Sequence, residues 1–582
     1  MKTPALIATL VVARIGVLWG RQVEWSLELI AACFGEDALV GLAFLSLEAG
    51  LRRRRAGSRV MTVLFWVTVG YVALNVAVAR ILPTPLTWPM LRAAGAPIAD
   101  SIRLYATWSS VVAVAPVLVS AVVALRIGRQ MSATWVRVTA VALVIVGGGG
   151  YWARAHVETW GLHRNAVVAL AASAIPAIDV DARAVAHDWR HPPSGGTAPT
   201  DLSALSGIAA GRNVVVIGLE SVGAQYLKTY GAGENVMPTL EELSASAVIF
   251  DRAYAVSPDS IRSLFSVLCS RYPAFDTPVE AYAAGPCASL ASRLRERGYH
   301  TALFHSGRFG YLGMEGVIRD RGFDLQMDAG HIGGNHESSF GVDEPAAVAS
   351  ILSWVDALPP SSRFALTYMP VAGHHPYVFS GKGAFGASTD IDRYRSALHE
   401  GDAAIGALID GLKARGLFEK TMFVVYGDHG QAFGQHPGNV GHTFYLYEEN
   451  VRIPFIVALP GVIDRSVRSD MTASLVDVTP TALDLLGLGA ESGHQGQSAL
   501  SGPQRMALFF TDYSASLVGL RDGRWKFIRD LGSGNSRLFD LADDPAESRD
   551  LSAKEPARLG AYAEALRGWS AAQKASFSPS SR

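Results

Sequence analysis

The sequence predicts an α/β protein in two parts, a bundle of five membrane-spanning helices followed by a doubly wound sheet domain. Two observations carry that expectation. Long, mostly apolar runs crowd the first 155 residues. From about residue 212, short β-branched runs alternate with helical ones, the pattern of a mostly parallel sheet covered on both faces.

The chain has 582 residues, 49% of them apolar, with 51 basic and 52 acidic side chains. Near-neutral charge gives no reason to expect nucleic acid as a partner. Such an apolar composition directs attention to membrane segments. Residues 4–20, 29–50, 60–82, 104–125 and 135–152 are each long and mostly apolar, and about 20 such residues cross the hydrocarbon. The first run is the shortest and carries Arg14, and the second carries Glu36 and Asp37. With further runs following and no convincing cleavage site, the first reads as a span rather than a signal peptide.

Arginines set the orientation. Arg52, Arg53, Arg54, Arg55 and Arg59 fall between the second and third runs, and Arg126, Arg129 and Arg137 lie around the fourth-to-fifth junction. Both loops are expected in the cytoplasm, so five spans put the N-terminus inside and everything after about residue 153 outside. Charges facing lipid are costly. Arg14 and Asp37 are therefore expected to meet across neighbouring spans, unless Glu36 and Asp37 simply mark the outer end of the second helix. Of the three cysteines, Cys269 and Cys287 fall in the exported part, where disulfides persist, and their spacing permits a bridge.

After the fifth run, residues 163–175 form a short apolar stretch, read as an interfacial or packing helix. Residues 190–207 form a Pro/Gly/Ser linker. NVVVIGL, HTALF, FALTYM, TMFVVYG and PFIVAL then read as buried strands. PTLEELSASA, SLASRLRERG and the long run ending in GLKARG read as helices. Ligands of such sheets bind at the carboxyl ends of the strands.

The chemistry-bearing residues collect at those ends. NVVVIGL runs directly into Glu220, and TMFVVYG runs into Asp428 and His429. Two carboxylates and an imidazole suit a divalent cation such as Mn²⁺, Zn²⁺ or Mg²⁺ better than Ca²⁺. A Gly-Asp-His-Gly segment alone is weak, since Asp and Gly are ordinary turn residues. The third element is S-P-D-S followed by an apolar-periodic helix, which puts Ser260 in its first turn. There exposed N–H groups favour an anion, and a metal-bound hydroxyl can attack phosphorus. Without the other two motifs, Ser257 or Ser260 would read as a plain N-cap.

These motifs, with RGYHTALFHSGRFG (297–310), GHHPY (373–377), GHTFYLYEENVRIPFIVALPG (441–461) and the tail VGLRDGRWKFIRD…SRLFDLADDPAESRDLS, resemble the sulfatase branch of the alkaline phosphatase superfamily over roughly residues 212–570. The anchor before such a domain is similar to lipoteichoic acid synthases and phosphoethanolamine transferases. The resemblance implies a transmembrane domain at 1–155, an interfacial helix and linker at 156–211, and a catalytic domain at 212–505. A C-terminal α+β subdomain at 506–575 and a tail at 576–582 follow. It implies a bacterial cytoplasmic (inner) membrane protein with its catalytic domain on the extracytoplasmic side. Counting back without gaps from Arg271-Tyr272-Pro273, it makes Ser260 the nucleophile and a metal ligand beside Glu220, Asp428 and His429. His374 and His442 correspond to catalytic positions, and Arg308, His305 and His375 to substrate-binding ones. His436 is a candidate ligand for a second metal.

One departure bears on the chemistry. Sulfatases convert Cys or Ser to formylglycine, reading Pro two residues on and Arg four residues on. Here those positions are Arg262 and Leu264, so Ser260 is expected to stay a serine, with Ser263 as fallback nucleophile. A phosphoserine can be resolved by attack at phosphorus, whereas a sulfated serine is resolved poorly. The reading is a metal-dependent phosphotransferase that moves a phospholipid head group, of phosphoglycerol or phosphoethanolamine type, onto a lipid or glycan of the cell envelope. The alternatives are a membrane-tethered phosphodiesterase or sulfatase, and a non-catalytic scaffold.

Overall fold

A computed structural model describes the chain except residues 1, 22, 52–54, 82–83, 94–106, 128–131, 176, 179–187, 192–197, 286, 335–340, 514 and 578–582. Arg52, Arg53, Arg54 and Arg129, part of the 190–207 linker and most of the 576–582 tail lie outside the described residues.

Among the described residues, four helices are long and apolar enough to cross a membrane: Leu27–Leu51, Ala56–Arg80, Trp108–Ile127 and Ala133–Arg154. This corrects the count of five. The first expected span is Thr3–Leu18, with 16 residues. At 1.5 Å per residue it reaches only ~24 Å, short of a hydrocarbon core of about 30 Å. It nonetheless sits inside the bundle against the helices at 27–51, 55–81 and 108–127. Its Arg14 explains why. The guanidinium donates to both oxygens of Asp37, Nε to Oδ2 at 2.7 Å and Nη2 to Oδ1 at 2.9 Å. It also donates to the carbonyl of Leu162 at 2.6 Å. Asn165, the N-cap of the short helix Ala166–Ser173, donates to the same Asp37 at 2.6 Å. One buried bidentate pair thus ties two membrane helices to the segment leading out of the bundle.

The main α/β domain is built on β1 (Asn213–Leu219), β2 (Ala247–Tyr254), β3 (His300–His305), β4 (Leu325–Met327), β5 (Phe364–Met369) and β6 (Thr421–Gly427). A small hairpin, β7 (Ala432–Phe433) with β8 (Val440–Gly441), follows. β9 (Arg452–Ile453), β10 (Phe455–Ala458) and β11 (Val467–Ser474) complete the main sheet, in the order β11-β2-β10-β6-β1-β5-β3-β4 with β9 beside β2. The pairs β1–β5, β1–β6, β3–β5, β3–β4 and β2–β11 are parallel. β10 runs antiparallel to both its neighbours, which makes the sheet mixed.

Alternate side chains point to opposite faces of a strand. Val214 and Val216 of β1 join the core on one face, with Met422, Val424 and Tyr426 of β6. Val215, Ile217 and Leu219 join the core on the other, with Phe423 and Val425. Both faces are covered, so NVVVIGL and TMFVVYG carry no polar alternation. A second, antiparallel sheet of β12 (Met506–Thr511), β13 (Leu517–Asp522), β14 (Trp525–Asp530) and β15 (Ser536–Asp540) leads to the helix Pro556–Ser576. Cys269 and Cys287 form a disulfide, and Cys33 is buried and free.

Candidate active site

Register places the first two acids. In the β1–β6 pair, Leu219 stands opposite Gly427. The residues that follow, Glu220 and Asp428, therefore leave the same sheet edge side by side. Ser221 adopts a left-handed backbone, φ 60°. Its N–H donates to Asp428 Oδ1 at 2.8 Å, and the N–H of His429 donates to the same oxygen at 2.7 Å. Asp428 is thus fixed through one oxygen and offers the other. Gly430 follows because a Cβ there would lie 2.1 Å from the carbonyl of Glu449. At Gly373 a Cβ would lie 2.0 Å from the carbonyl of Glu220, so only glycine lets the chain leading into His374 pass this close to Glu220.

β2 ends at the same edge and leads to the helix Ser260–Cys269. The N-cap is Asp259, which accepts from the N–H of Arg262 at 3.0 Å. This corrects the alternative in which Ser257 or Ser260 caps the helix, and it frees the Ser260 hydroxyl. That hydroxyl lies 3.1 Å from both oxygens of Glu220 and 3.2 Å from His429 Nε2. Ser263 is removed from this group. It is fully buried and donates to the carbonyls of Asp428, at 2.8 Å, and Ser257, at 3.1 Å.

Ligand atoms of Glu220, Asp428 and His429 lie within 4.8 Å of one another. His429 Nδ1 faces the carbonyl of Gly430 at 3.0 Å, which selects the tautomer whose Nε2 lone pair points at the carboxylates. That nitrogen is 3.7 Å from Glu220 and 3.5 Å from Asp428. Among the described residues no Lys or Arg pairs with either acid. Burial pushes Glu220 up to about 7, with help from the neighbouring Asp428 charge, and pushes Asp428 up to about 6. Two buried carboxylates without a basic partner, an imidazole lone pair and a hydroxyl fit a divalent metal ion.

His442 stacks on His429, with ring centroids 4.1 Å apart and planes at 9°. Its Nδ1 faces the carbonyl of Pro258 at 3.0 Å. Burial, then the neighbouring His429, hold it well below the usual histidine range, so it is a neutral wall of the site. His374 lies in the field of Glu220, with its Nδ1 2.6 Å from the carbonyl of His375 and its pKa lowered by burial. His305 is buried against Phe309, with Nδ1 2.9 Å from the carbonyl of Met369. Burial holds it near 4 and neutral. Arg308 is exposed and, among the described residues, has no ion pair. His375 and His436 are not brought to the metal group. His375 is exposed, and its charged neighbours are Asp390 and Arg393. His436 meets Glu449 at 2.7 Å and stacks on Tyr447; with Glu449 and Glu547 it forms a separate group, ligand atoms within 4.8 Å of one another, that could hold a second ion.

The sequence reading missed Ser221, whose strained turn orients Asp428, and Asp259. S-P-D-S offered Asp259 as a cap signal equal to its serines. It also missed Arg262, which runs from the Ser260 helix to Asp512 at 2.6 Å and lies 5.1 Å over Phe510.

Residues 212–488 match the family described as Sulfatase, and residues 442–559 match the family described as N-sulphoglucosamine sulphohydrolase, C-terminal. A lipoteichoic acid synthase-like protein of Bacillus subtilis is 26% identical over 315 residues, covering 51% of this chain and 51% of that protein. Arylsulfatase K of Bos taurus is 29% identical over 196 residues, covering 30% of this chain and 35% of that protein. The chain thus spans about half the length of the first relative and about a third of the second. A protein of the alkaline phosphatase superfamily from Vibrio parahaemolyticus superposes with a TM-score of 0.53 at 19% identity, covering 66% of this chain and 92% of that one. The fold and the site define the class, an α/β sheet domain with a carboxylate–histidine group at its strand ends that could hold a metal ion. Residues 212–488 are sulfatase-like, on the fold seen in the alkaline phosphatase superfamily, and the N-terminal part carries helices long and apolar enough to cross a membrane.

Proposed function

We propose that this protein is a membrane-anchored phosphotransferase that moves a phospholipid head group through Ser260 onto a lipid or glycan acceptor. The observation that carries this reading is the Ser260 hydroxyl, held 3.1 Å from both Glu220 oxygens and 3.2 Å from His429 Nε2, in a window that lacks the Pro and Arg of formylglycine conversion. The apolar helices and the relative named as lipoteichoic acid synthase-like support a lipid-linked donor.

Glu220, Asp428, His429 and Ser260 would hold the cation. When bound, a divalent metal supplies a lowered hydroxyl pKa and a polarised phosphoryl oxygen. Glu220 accepts the Ser260 proton, and Oγ forms a bond to phosphorus as the bond from phosphorus to the lipid alkoxide breaks. His374, in its protonated form, which Glu220 favours and burial opposes, gives the leaving oxygen its proton. Arg308 and the first turn of the Ser260 helix hold the phosphoryl oxygens. His374 then takes the proton of the acceptor hydroxyl, whose oxygen displaces Ser260 from phosphorus, and Glu220 returns the serine proton. His442 excludes water from one side of His429.

The test is turnover by the full-length protein with Mn²⁺. Phospholipid labelled in the head group should release diacylglycerol. Ser260→Ala should lose at least about a thousandfold of this activity, while Ser263→Ala retains it. A second reading, a tethered sulfatase, is favoured by the match over residues 442–559. It predicts rapid hydrolysis of nitrophenyl sulfate without an acceptor and untouched phospholipid, and that result would overturn the first.

A further inference from the structure

A cavity of about 500 Å³ opens where the helical bundle meets the catalytic domain and the C-terminal sheet. Glu220, Ser260, Asp428 and His429 are not in its wall. Val168, Ala172 and Ile175, from the short helix that follows the bundle and from its end, make one side apolar. Tyr445, three residues beyond His442, lines it from the catalytic domain.

Charge in the wall is arranged unequally. Arg154 pairs with Glu36 at 3.3 Å, and Arg537 pairs with Glu158. Arg164 has no such partner. Among the described residues no carboxylate lies within 4.0 Å of it, and its guanidinium donates to Thr84 Oγ1 at 3.2 Å. Burial disfavours its charge, and Glu36 and Asp530 favour it only from beyond ion-pair distance, so a buried guanidinium keeps donors for an incoming anion. Asp530, in the same wall, is the complement. It accepts from the N–H of Gly532 at 2.8 Å and the hydroxyl of Ser533 at 2.7 Å; it attracts Arg164 across the cavity but, among the described residues, has no cation within 4.0 Å.

A guanidinium matches phosphate in shape and charge, a carboxylate beside aromatic rings suits an ammonium, and an apolar flank at the membrane end suits acyl chain. We propose that this cavity binds one zwitterionic phospholipid of the surrounding bilayer, its phosphate on Arg164, its ammonium toward Asp530 and its acyl chain along Val168, Ala172 and Ile175. The site is separate from the metal centre. It rests on the membrane placement of the chain and not on which ester Ser260 attacks.

The test uses full-length protein, delipidated in detergent, titrated by native mass spectrometry with dioleoyl phosphatidylethanolamine or dioleoyl phosphatidylglycerol. One molecule of phosphatidylethanolamine should bind at least about tenfold more tightly than phosphatidylglycerol. Arg164→Gln should weaken it by about tenfold or more, and Asp530→Asn should bring the two lipids level. Ala172→Trp fills the apolar side with Arg164 intact and should block binding at an unchanged melting temperature. Ser260→Ala should bind as the unaltered protein does, even if the transferase reading fails. Unchanged affinity and stoichiometry in either Arg164→Gln or Ala172→Trp, or equal affinity for the two lipids before substitution, overturns the proposal.

Discussion

Ser260 and Ser263 sit one helical turn apart and meet opposite fates. Ser263 spends its proton on two backbone carbonyls, whereas Ser260 faces two carboxylate oxygens and an imidazole nitrogen. The cost of this group falls on Glu220 and Asp428, which burial raises to about 7 and about 6. With the metal chelated, the folded chain holds more protons than the unfolded one between roughly pH 4 and pH 7, so stability is lost as pH rises through that window. The melting temperature of chelated protein should therefore fall from about pH 5 to about pH 8. The fall should be shallower in Glu220→Gln, and Mn²⁺ should raise the melting temperature more at the higher pH. A metal increment larger at the lower pH would contradict the assignment. Glu220, Asp428 and His429 were legible because each directly follows an apolar strand, a local signal. His375 was not separable from His374 by sequence, since adjacency does not say which of two neighbours faces the sheet edge. Ser221 was invisible for a related reason, because its role exists only once the β1–β6 register is set.

At the level of elements, alternation of strands and helices announced the sheet, and the covered faces explain why its strands read as unbroken apolar runs. The direction of β10 was not legible. PFIVAL has the composition of its parallel neighbours, and only the connection after β6, which returns to the same sheet edge without a long crossover helix, reverses it. The reversal matters, because it returns the 441–451 segment to the catalytic edge and sets His442 on His429. Beneath the nucleophile, the buried Arg262–Asp512 pair joins the Ser260 helix to the strand-end of the C-terminal sheet. Removing one partner of a buried pair strands the other charge. Asp512→Ala should cost about 3–5 kcal/mol in denaturant unfolding, with a lower kcat as the helix loses its anchor. The double substitution Arg262→Met with Asp512→Leu should recover much of that stability. Equal stability of the single variant and the unaltered protein would remove the pair from the account.

Across the whole molecule, the bundle and the catalytic domain are joined by contacts that no local pattern foretold. Thr87 donates to the carbonyl of Tyr513 at 2.6 Å, and Arg537 pairs with Glu158. We propose that residues after 154 lie outside the cell, whether or not the first helix crosses. The arginines around 52–59 and 126–137 flank the three later helices, so cytoplasmic loops there leave residues after 154 outside whether or not Thr3–Leu18 crosses. A cysteine at Lys382, which is exposed in the catalytic domain, should react with a membrane-impermeant maleimide in intact cells. One at Arg59 should react only after permeabilisation, and the reverse pattern would invert the topology.

The most direct measurement is peptide mass spectrometry of the full-length protein quenched during incubation with phospholipid and Mn²⁺. A phosphorylated head-group adduct on the peptide carrying Ser260, absent in Ser260→Ala and in chelated protein, is the predicted result. The contradicting result is a Ser260 residue two hydrogens lighter, the aldehyde of a formylglycine, with no phosphorus attached.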